Sequence, residues 1–155
     1  MTFIHDKTAS DHAFGPKIYE VSYDDRVVDI SDPGTIPPLN KNRIFNVVME
    51  KLDEIKSEDL LDEYIGVVDS WQKMRNHNFL NVDGFFAHSP LHKRVISADF
   101  GAVDTSRDDQ EFISNLASRG IDHGQIQENV VRKYVQDFPN DPFSVDILGP
   151  VLRKL

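Results

Sequence analysis

The sequence contains no cysteine and only one tryptophan among its 155 residues. Without cysteine, the chain can form no disulfide, thiol nucleophile or thiolate zinc site. Basic residues are also scarce, because 17 Lys and Arg stand against 26 Asp and Glu, a formal net charge of −9. That charge repels phosphate backbones and anionic membranes, which argues against nucleic-acid and membrane partners.

Long apolar runs are absent as well. No stretch reaches the roughly 18 consecutive apolar residues of a membrane span, and the N-terminal MTFIHDKTASD lacks the apolar centre of a secretion signal. We therefore expect a soluble, cytoplasmic protein, and no motif calls for a cofactor. With 39% apolar residues and ten Phe, the chain can bury a core of its own.

The N-terminal part shows little regular patterning. Residues 1–16 have no apolar period and predict a flexible arm, which leaves residues 17–155 as a single globular domain. Within KIYEVSYDDRVVDIS (17–31), the alternation of Tyr19, Val21 and Tyr23 predicts a small β-hairpin or an extended arm. The Pro- and Gly-rich DPGTIPP (32–38) marks the boundary with a helical body.

Beyond residue 39, apolar residues repeat at helical spacing in four segments, and a last short helix is expected from Asp141 onward, broken near Gly149-Pro150. The segments are 40–56 (Ile44, Val48, Leu52, Ile55), 57–75 (Leu61, Tyr64, Val68, Trp71), 105–120 (Phe112, Ile113, Leu116) and 121–139 (Ile126, Val130, Tyr134). The first two would form an antiparallel helical hairpin over 42–75. The predicted fold is therefore α+β and helix-rich, with four to five amphipathic helices and a small N-terminal β-hairpin or extended arm, and an all-α fold is the alternative.

The stretch FFAHSPLH (85–92) places His88 and His92 four residues apart, the spacing by which one helix presents two imidazoles to a metal ion. Pro90 disfavours helix at Ser89, so Ser89-Pro90 instead predicts the start of a short helix. The glutamate of the H-E-x-x-H hydrolase motif is also absent. The alternative is a small metal-dependent hydrolase whose metal and catalytic residues would be His88 and His92, with Asp83 and Asp99 nearby.

Acidic residues are concentrated between positions 50 and 69, where eight Asp and Glu stand against two Lys. This is typical of a solvated helix face or of a docking surface for a basic partner, and both interpretations stay open. The following stretch is basic, because it contains Lys73, Arg75, Lys93 and Arg94. A third interpretation is therefore a homo-oligomer in which the acidic segment of one copy contacts the basic stretch of another. As partner-binding residues we single out Glu54, Glu58, Asp59, Asp62 and Glu63.

Residues 112–135 could also form a helix-turn-helix that binds DNA. Its second helix carries Gln125, Gln127 and Asn129, whose side chains can hydrogen-bond to base edges. The same helix has acidic residues that would face phosphates, and only Arg132 and Lys133 are basic. In a chain with a net charge of −9, the pattern favours an ordinary pair of packed helices over a DNA-binding motif.

None of these segments contains a complete catalytic motif. The sequence therefore favours a non-catalytic, acidic protein-binding module, such as an inhibitor, an immunity-type protein, an accessory subunit or an assembly factor. It would dock a basic protein through the helical hairpin 42–75.

Overall fold

A computed structural model describes residues 2–23, 26–27, 45–81, 84–100, 103–105, 107–122 and 125–155. Five α-helices lie in these ranges, and a 3₁₀ helix leads into the second of them. The α-helices are α1 (Thr2–Asp11), α2 (Tyr64–Asn76), α3 (Asp109–Asp122), α4 (Gln125–Asp137) and α5 (Gly149–Lys154). The 3₁₀ helix covers Ser57–Glu63, and a π-helix covers Ser144–Leu148.

Eight strands within the described ranges form three antiparallel sheets, in the orders β2-β1-β3, β4-β6-β7 and β5-β8. In the second sheet, β6 and β7 form a hairpin in which Phe85 is opposite Ala98 and Ser89 is opposite Arg94. The strands are β1 (Ile18–Tyr23), β2 (Arg26–Val27), β3 (Phe45–Met49), β4 (Asp53–Glu54), β5 (Leu80–Asn81), β6 (Phe85–Ser89), β7 (Arg94–Ala98) and β8 (Val103–Asp104).

The strand content makes the predicted fold class wrong. Strands are not confined to an N-terminal hairpin or arm, since five of the eight begin after residue 50, and the all-α alternative is wrong for the same reason. The molecule is a mixed α and β fold with three small sheets, and residues of the β4-β6-β7 and β5-β8 sheets share the core cluster with the helices.

The largest local error is the helix predicted over 40–56. Residues 40–44 lie outside the described residues, and Phe45–Met49 is strand β3, which pairs with β1 so that Val47 is opposite Val21. Val48, assigned to the buried helix face, is 53% exposed. The helical hairpin 42–75 therefore does not exist, and only its second half is helical.

The predicted helix over 57–75 is present as the 3₁₀ helix and α2, but its buried face differs from the prediction. Val68 and Trp71 are buried as expected, whereas Leu60 takes the core position assigned to Leu61, which is 38% exposed. Trp71 packs edge-to-face on Phe86 of β6, with ring centroids 6.0 Å apart. This contact joins the helix to the β6–β7 hairpin.

The helices predicted after residue 104 are confirmed as α3 and α4. Phe112, Ile113 and Leu116 of α3 and Val130 of α4 are buried in the same core cluster. The chain after residue 141 is helical without the expected break, because the π-helix runs directly into α5. Pro150 has no backbone N–H to donate, which accounts for the altered hydrogen-bond pattern just before it.

The segment predicted as a flexible arm contains helix α1, and two of its residues reach the core. Ala9 and Phe14 are 0% and 1% exposed. The carbonyl of Phe14 accepts a hydrogen bond from the backbone N–H of Ser97 at 3.0 Å, and the carbonyl of Ala13 accepts one from Arg94. These contacts tie the segment to strand β7.

Candidate functional site

The HSPLH stretch forms a hairpin turn rather than the start of a helix. His88 and Ser89 end strand β6, and residues 90–93 turn the chain into β7. The hydroxyl of Ser89 accepts a hydrogen bond from the backbone N–H of His92 at 3.0 Å, and its carbonyl accepts one from Lys93 at 2.7 Å. Ser89 therefore caps a turn and not the predicted helix, and Lys93 closes that turn with a φ of 53°.

The two histidines consequently lie on different elements. The Nε2 of His88 is 3.2 Å from Oε1 of Glu63, and His88 is opposite Asp53 in the β4–β6 ladder. His92 is half-buried in the turn, and its Nε2 has no hydrogen-bond partner among the described residues. The i, i+4 geometry that a helix would give them does not apply.

The other two catalytic candidates do not complete a cluster. Asp99 follows β7 at the end of the hairpin opposite the turn that holds His92, a separation of roughly 15 Å at about 3.3 Å per strand residue. Asp83 lies outside the described residues. Across the described ranges, no group of three or more His, Asp or Glu side chains is placed to hold a metal ion.

The five acidic residues singled out in the sequence lie on one continuous stretch. Glu54 is on β4, and the other four belong to the 3₁₀ helix, where Glu58, Asp59 and Asp62 are exposed. None of these three forms an ion pair with a described residue, whereas Glu63 is engaged by His88. The acidic segment therefore lies at the protein surface, although it does not form part of the predicted helical hairpin.

Two exposed aliphatic side chains lie among these acids. Leu61 is 38% exposed and Ile65 is 52% exposed. The three-residue period of the 3₁₀ helix puts Glu58 and Leu61 on one side, and the α-helical period places Ile65 one turn beyond them. We call Glu58, Asp59, Leu61, Asp62 and Ile65 the acidic face.

The basic stretch after residue 72 is largely engaged in internal contacts. Lys73 pairs with Asp69 at 2.8 Å, Arg75 pairs with Asp109, and Arg94 donates to a carbonyl of the N-terminal segment. This arrangement gives little support to self-association between acidic and basic segments.

Helices α3 and α4 offer a poor DNA-reading surface. Gln127 is only 4% exposed, and the side chain of Gln125 lies outside the described residues. Both basic residues of α4 are paired within the helix: Arg132 lies 2.6 Å from Glu128, and Lys133 lies 3.4 Å from Asp137. Because both side chains already pair with a carboxylate, they contribute little net positive charge for binding a phosphate backbone.

Two charged residues of α4, Lys133 and Asp137, instead contact Tyr64 of α2. The hydroxyl of Tyr64 donates a hydrogen bond to Asp137, and Lys133 lies 4.9 Å from the centroid of the Tyr64 ring. This hydrogen bond lowers the pKa of Asp137 and raises the pKa of Tyr64. The contact keeps Asp137 charged and joins the two helices at their surface.

A stacked pair of histidines predicts acid sensitivity: His77 follows α2, and His12 follows α1. The rings of His77 and His12 stack with centroids 4.0 Å apart, and partial desolvation of the exposed His77 ring, followed by the charge of the neighbouring His12, lowers the pKa of His77. The unfolded chain therefore takes up a proton more readily than the folded chain. We expect the free energy of unfolding to decrease as the pH falls below about 6.5, and His77 to contribute no such change above it.

Urea unfolding at pH 7.5 and at pH 5, for the natural chain and His77→Gln, checks this expectation. The difference between the two pH values should shrink in the variant, because glutamine does not titrate. An unchanged difference would assign the acid sensitivity to other groups.

The structure contains one candidate site that the sequence did not predict. Arg119 of α3 and Gln127 of α4, both 4% exposed, line a cavity of about 180 Å³ beside β6. Their positions in the sequence carry no motif, and only the packing of α3 and α4 against the hairpin brings them together.

A scan against protein-family models found no match to this chain. Searches of curated proteins and of solved structures found no similar protein either. Among the described residues, no helix is both long enough and apolar enough to cross a membrane. A functional proposal therefore depends on the geometry of the chain itself.

Proposed function

We propose that this is a non-catalytic binding protein that docks a basic protein partner on the acidic face. The observation that supports this most strongly is the composition of that surface. Leu61 and Ile65 are exposed next to Glu58 and Asp62, which form no ion pair with any described residue. Exposed aliphatic groups gain about 25 cal/mol per Å² when a partner covers them.

The two kinds of side chain would have different roles in the complex. The acids attract a basic surface over distance and select against acidic competitors, which mainly affects the association rate and specificity. Leu61 and Ile65 would supply the water-excluded centre that holds the complex together. A matching partner presents Lys or Arg side chains around an apolar contact.

The proposal covers an inhibitor, an immunity-type protein, an accessory subunit or an assembly factor, since each can act by covering a basic surface. It also places the protein in the cytoplasm, where the lack of cysteine suits a reducing environment. The acidic face replaces the helical hairpin 42–75 as the docking element.

Reversing three acids tests the proposal. We expect Glu58→Lys, Asp59→Lys and Asp62→Lys together to weaken partner binding by about 100-fold, because like charges placed opposite one another cost several kcal/mol. The immobilised chain is used to capture its partner from an extract of its source cells, and the affinity of the purified partner is then measured by calorimetry for each variant.

A matched control reverses three exposed acids on other elements, Glu20, Glu111 and Asp146, which changes the net charge by the same amount. The proposal requires that this control retain the partner at close to the original affinity. Equal retention by both triple variants would show that the acidic face only keeps the protein in solution, and equal loss would show that net charge alone attracts the partner.

A further inference from the structure

We propose that the basic partner is anchored by an arginine side chain that stacks on a cluster of aromatic rings at the end of α4. This aromatic cluster consists of Tyr64 at the start of α2, Tyr134 of α4 and Phe138, which follows α4. Tyr64 is the direct neighbour of Ile65 in the acidic face. The inference therefore rests on the proposed docking function, and it names the residue type that the partner contributes next to that face.

The three rings form a continuous surface. The ring centroids of Tyr64 and Tyr134 are 6.5 Å apart in an edge-to-face arrangement, and those of Tyr134 and Phe138 are 4.9 Å apart. Phe138 is 41% exposed, whereas Tyr64 and Tyr134 are half-buried. Aromatic side chains dominate the energetics of protein interfaces. Phe138 is accessible to a partner without any rearrangement of the core, and Tyr134 packs against its ring.

Two carboxylates lie beside these rings. The side chain of Asp137 is 39% exposed and accepts a hydrogen bond from the hydroxyl of Tyr64. Asp141 accepts one from the hydroxyl of Tyr134 at 3.4 Å, and its backbone N–H donates to the carbonyl of Phe138 at 3.3 Å. Partial burial, followed by the carboxylate of Asp141, raises the pKa of Tyr134. The surroundings of the aromatic cluster therefore favour a positively charged group.

The protein already places one of its own cations on this surface. The Nζ of Lys133 lies 4.9 Å from the centroid of the Tyr64 ring and 3.4 Å from the carboxylate of Asp137. The same combination of a ring and a carboxylate recurs at Phe138 and Asp141. Since one ammonium group stands against two carboxylates, the local charge remains negative and attracts a second cation.

The geometry favours arginine over lysine at Phe138. A guanidinium is planar, so it can stack on an aromatic face and at the same time donate hydrogen bonds in its own plane to a carboxylate. An ammonium group is more strongly hydrated and cannot stack. Phe138 offers the exposed ring, and Asp141, half-buried and hydrogen-bonded to the backbone of Phe138, offers the acceptor next to it.

The test titrates the full chain at low salt with two acetylated hexapeptides, one of alternating Gly and Arg and one of alternating Gly and Lys, and monitors binding by NMR. Both peptides carry the same charge, so the acidic face attracts them equally. We expect the arginine peptide to bind about threefold to fivefold more tightly. Phe138→Ala should lower its affinity to that of the lysine peptide. The matched control is Phe85→Ala on β6, where Phe85 is 38% exposed, and this variant should keep the preference for arginine.

The proposal fails if neither peptide binds, if both bind the natural chain equally, or if Phe138→Ala retains the preference for arginine. Should Phe138→Ala fail to fold, Phe138→Leu provides a second variant, because leucine keeps an apolar side chain but has no ring. This variant should also bind the two peptides equally, and a retained preference would overturn the arginine anchor.

The triple variant Glu58→Lys, Asp59→Lys and Asp62→Lys separates this inference from the proposed function. We expect it to weaken both peptides while their ratio stays the same. Weakening of both peptides without any preference for arginine in the natural chain would support docking on the acidic face and overturn the arginine anchor. Undiminished binding by the triple variant, with a preference that depends on Phe138, would support the anchor and count against docking on the acidic face.

Discussion

Replacing Trp71 by alanine is expected to lower the free energy of unfolding by about 3–5 kcal/mol. Trp71 is 1% exposed, belongs to the central core cluster, and contacts Phe86 edge-to-face. Alanine would leave a cavity where α2 meets the β6–β7 hairpin. Since small proteins are stable by only about 5–15 kcal/mol, urea unfolding followed by circular dichroism should show a large decrease in the midpoint.

Trp71→Phe serves as the matched control. The indole Nε1 of Trp71 has no hydrogen-bond partner among the described residues, so phenylalanine removes volume without breaking a described hydrogen bond. We expect a loss of about 1–2 kcal/mol for this variant. A loss below about 1 kcal/mol for alanine would contradict the buried position of Trp71.

The parts of the fold that the sequence predicts are those with long helical periodicity. In α3 and α4, apolar residues recur at helical spacing (Phe112, Ile113 and Leu116; Ile126, Val130 and Tyr134), and packing of that face provides most of the stability of such helices. Strands β4 and β5 have two residues each, too short for any alternating pattern. β4 also pairs with β6, more than thirty residues away, and local sequence cannot specify such a partner.

The error over 40–56 has a specific physical cause. Residues four apart share one face of a helix, and they also share one face of a strand, because four is an even number of residues. Ile44, Val48 and Leu52 therefore fit both structures equally well. Pairing of β3 with β1 decides between them, and it depends on residues far from the segment.

The sequence predicts that the segment containing the acidic face is rich in acids, but it does not predict which of its residues are exposed. Counting charges identifies the acidic segment between 50 and 69, yet it cannot separate exposed acids from those with structural contacts. Leu60 is buried in place of the predicted Leu61, because the three-residue period of the 3₁₀ helix shifts the buried positions relative to an α-helix. The cavity has no sequence signal, because Arg119 and Gln127 come from different helices.

Glu50 shows how far composition and structure diverge. It was counted among the acids of the surface segment, but it is only 9% exposed. Its carboxylate accepts hydrogen bonds from the hydroxyl of Ser89 at 2.9 Å and from the backbone N–H of Lys17 at 3.1 Å. Glu50 therefore links the β2-β1-β3 sheet to the turn of the β6–β7 hairpin.

We expect Glu50→Leu to lower the free energy of unfolding by about 2–4 kcal/mol, because two donors lose a charged acceptor inside the protein. Glu50→Gln keeps an acceptor oxygen of the same reach and should lose less than half as much. Urea unfolding of both variants, beside Glu111→Leu at an exposed position of α3, separates the buried contacts from the change in net charge. If Glu50→Leu were as stable as Glu111→Leu, Glu50 would be a surface acid after all, and the two sheets would be held together by other contacts.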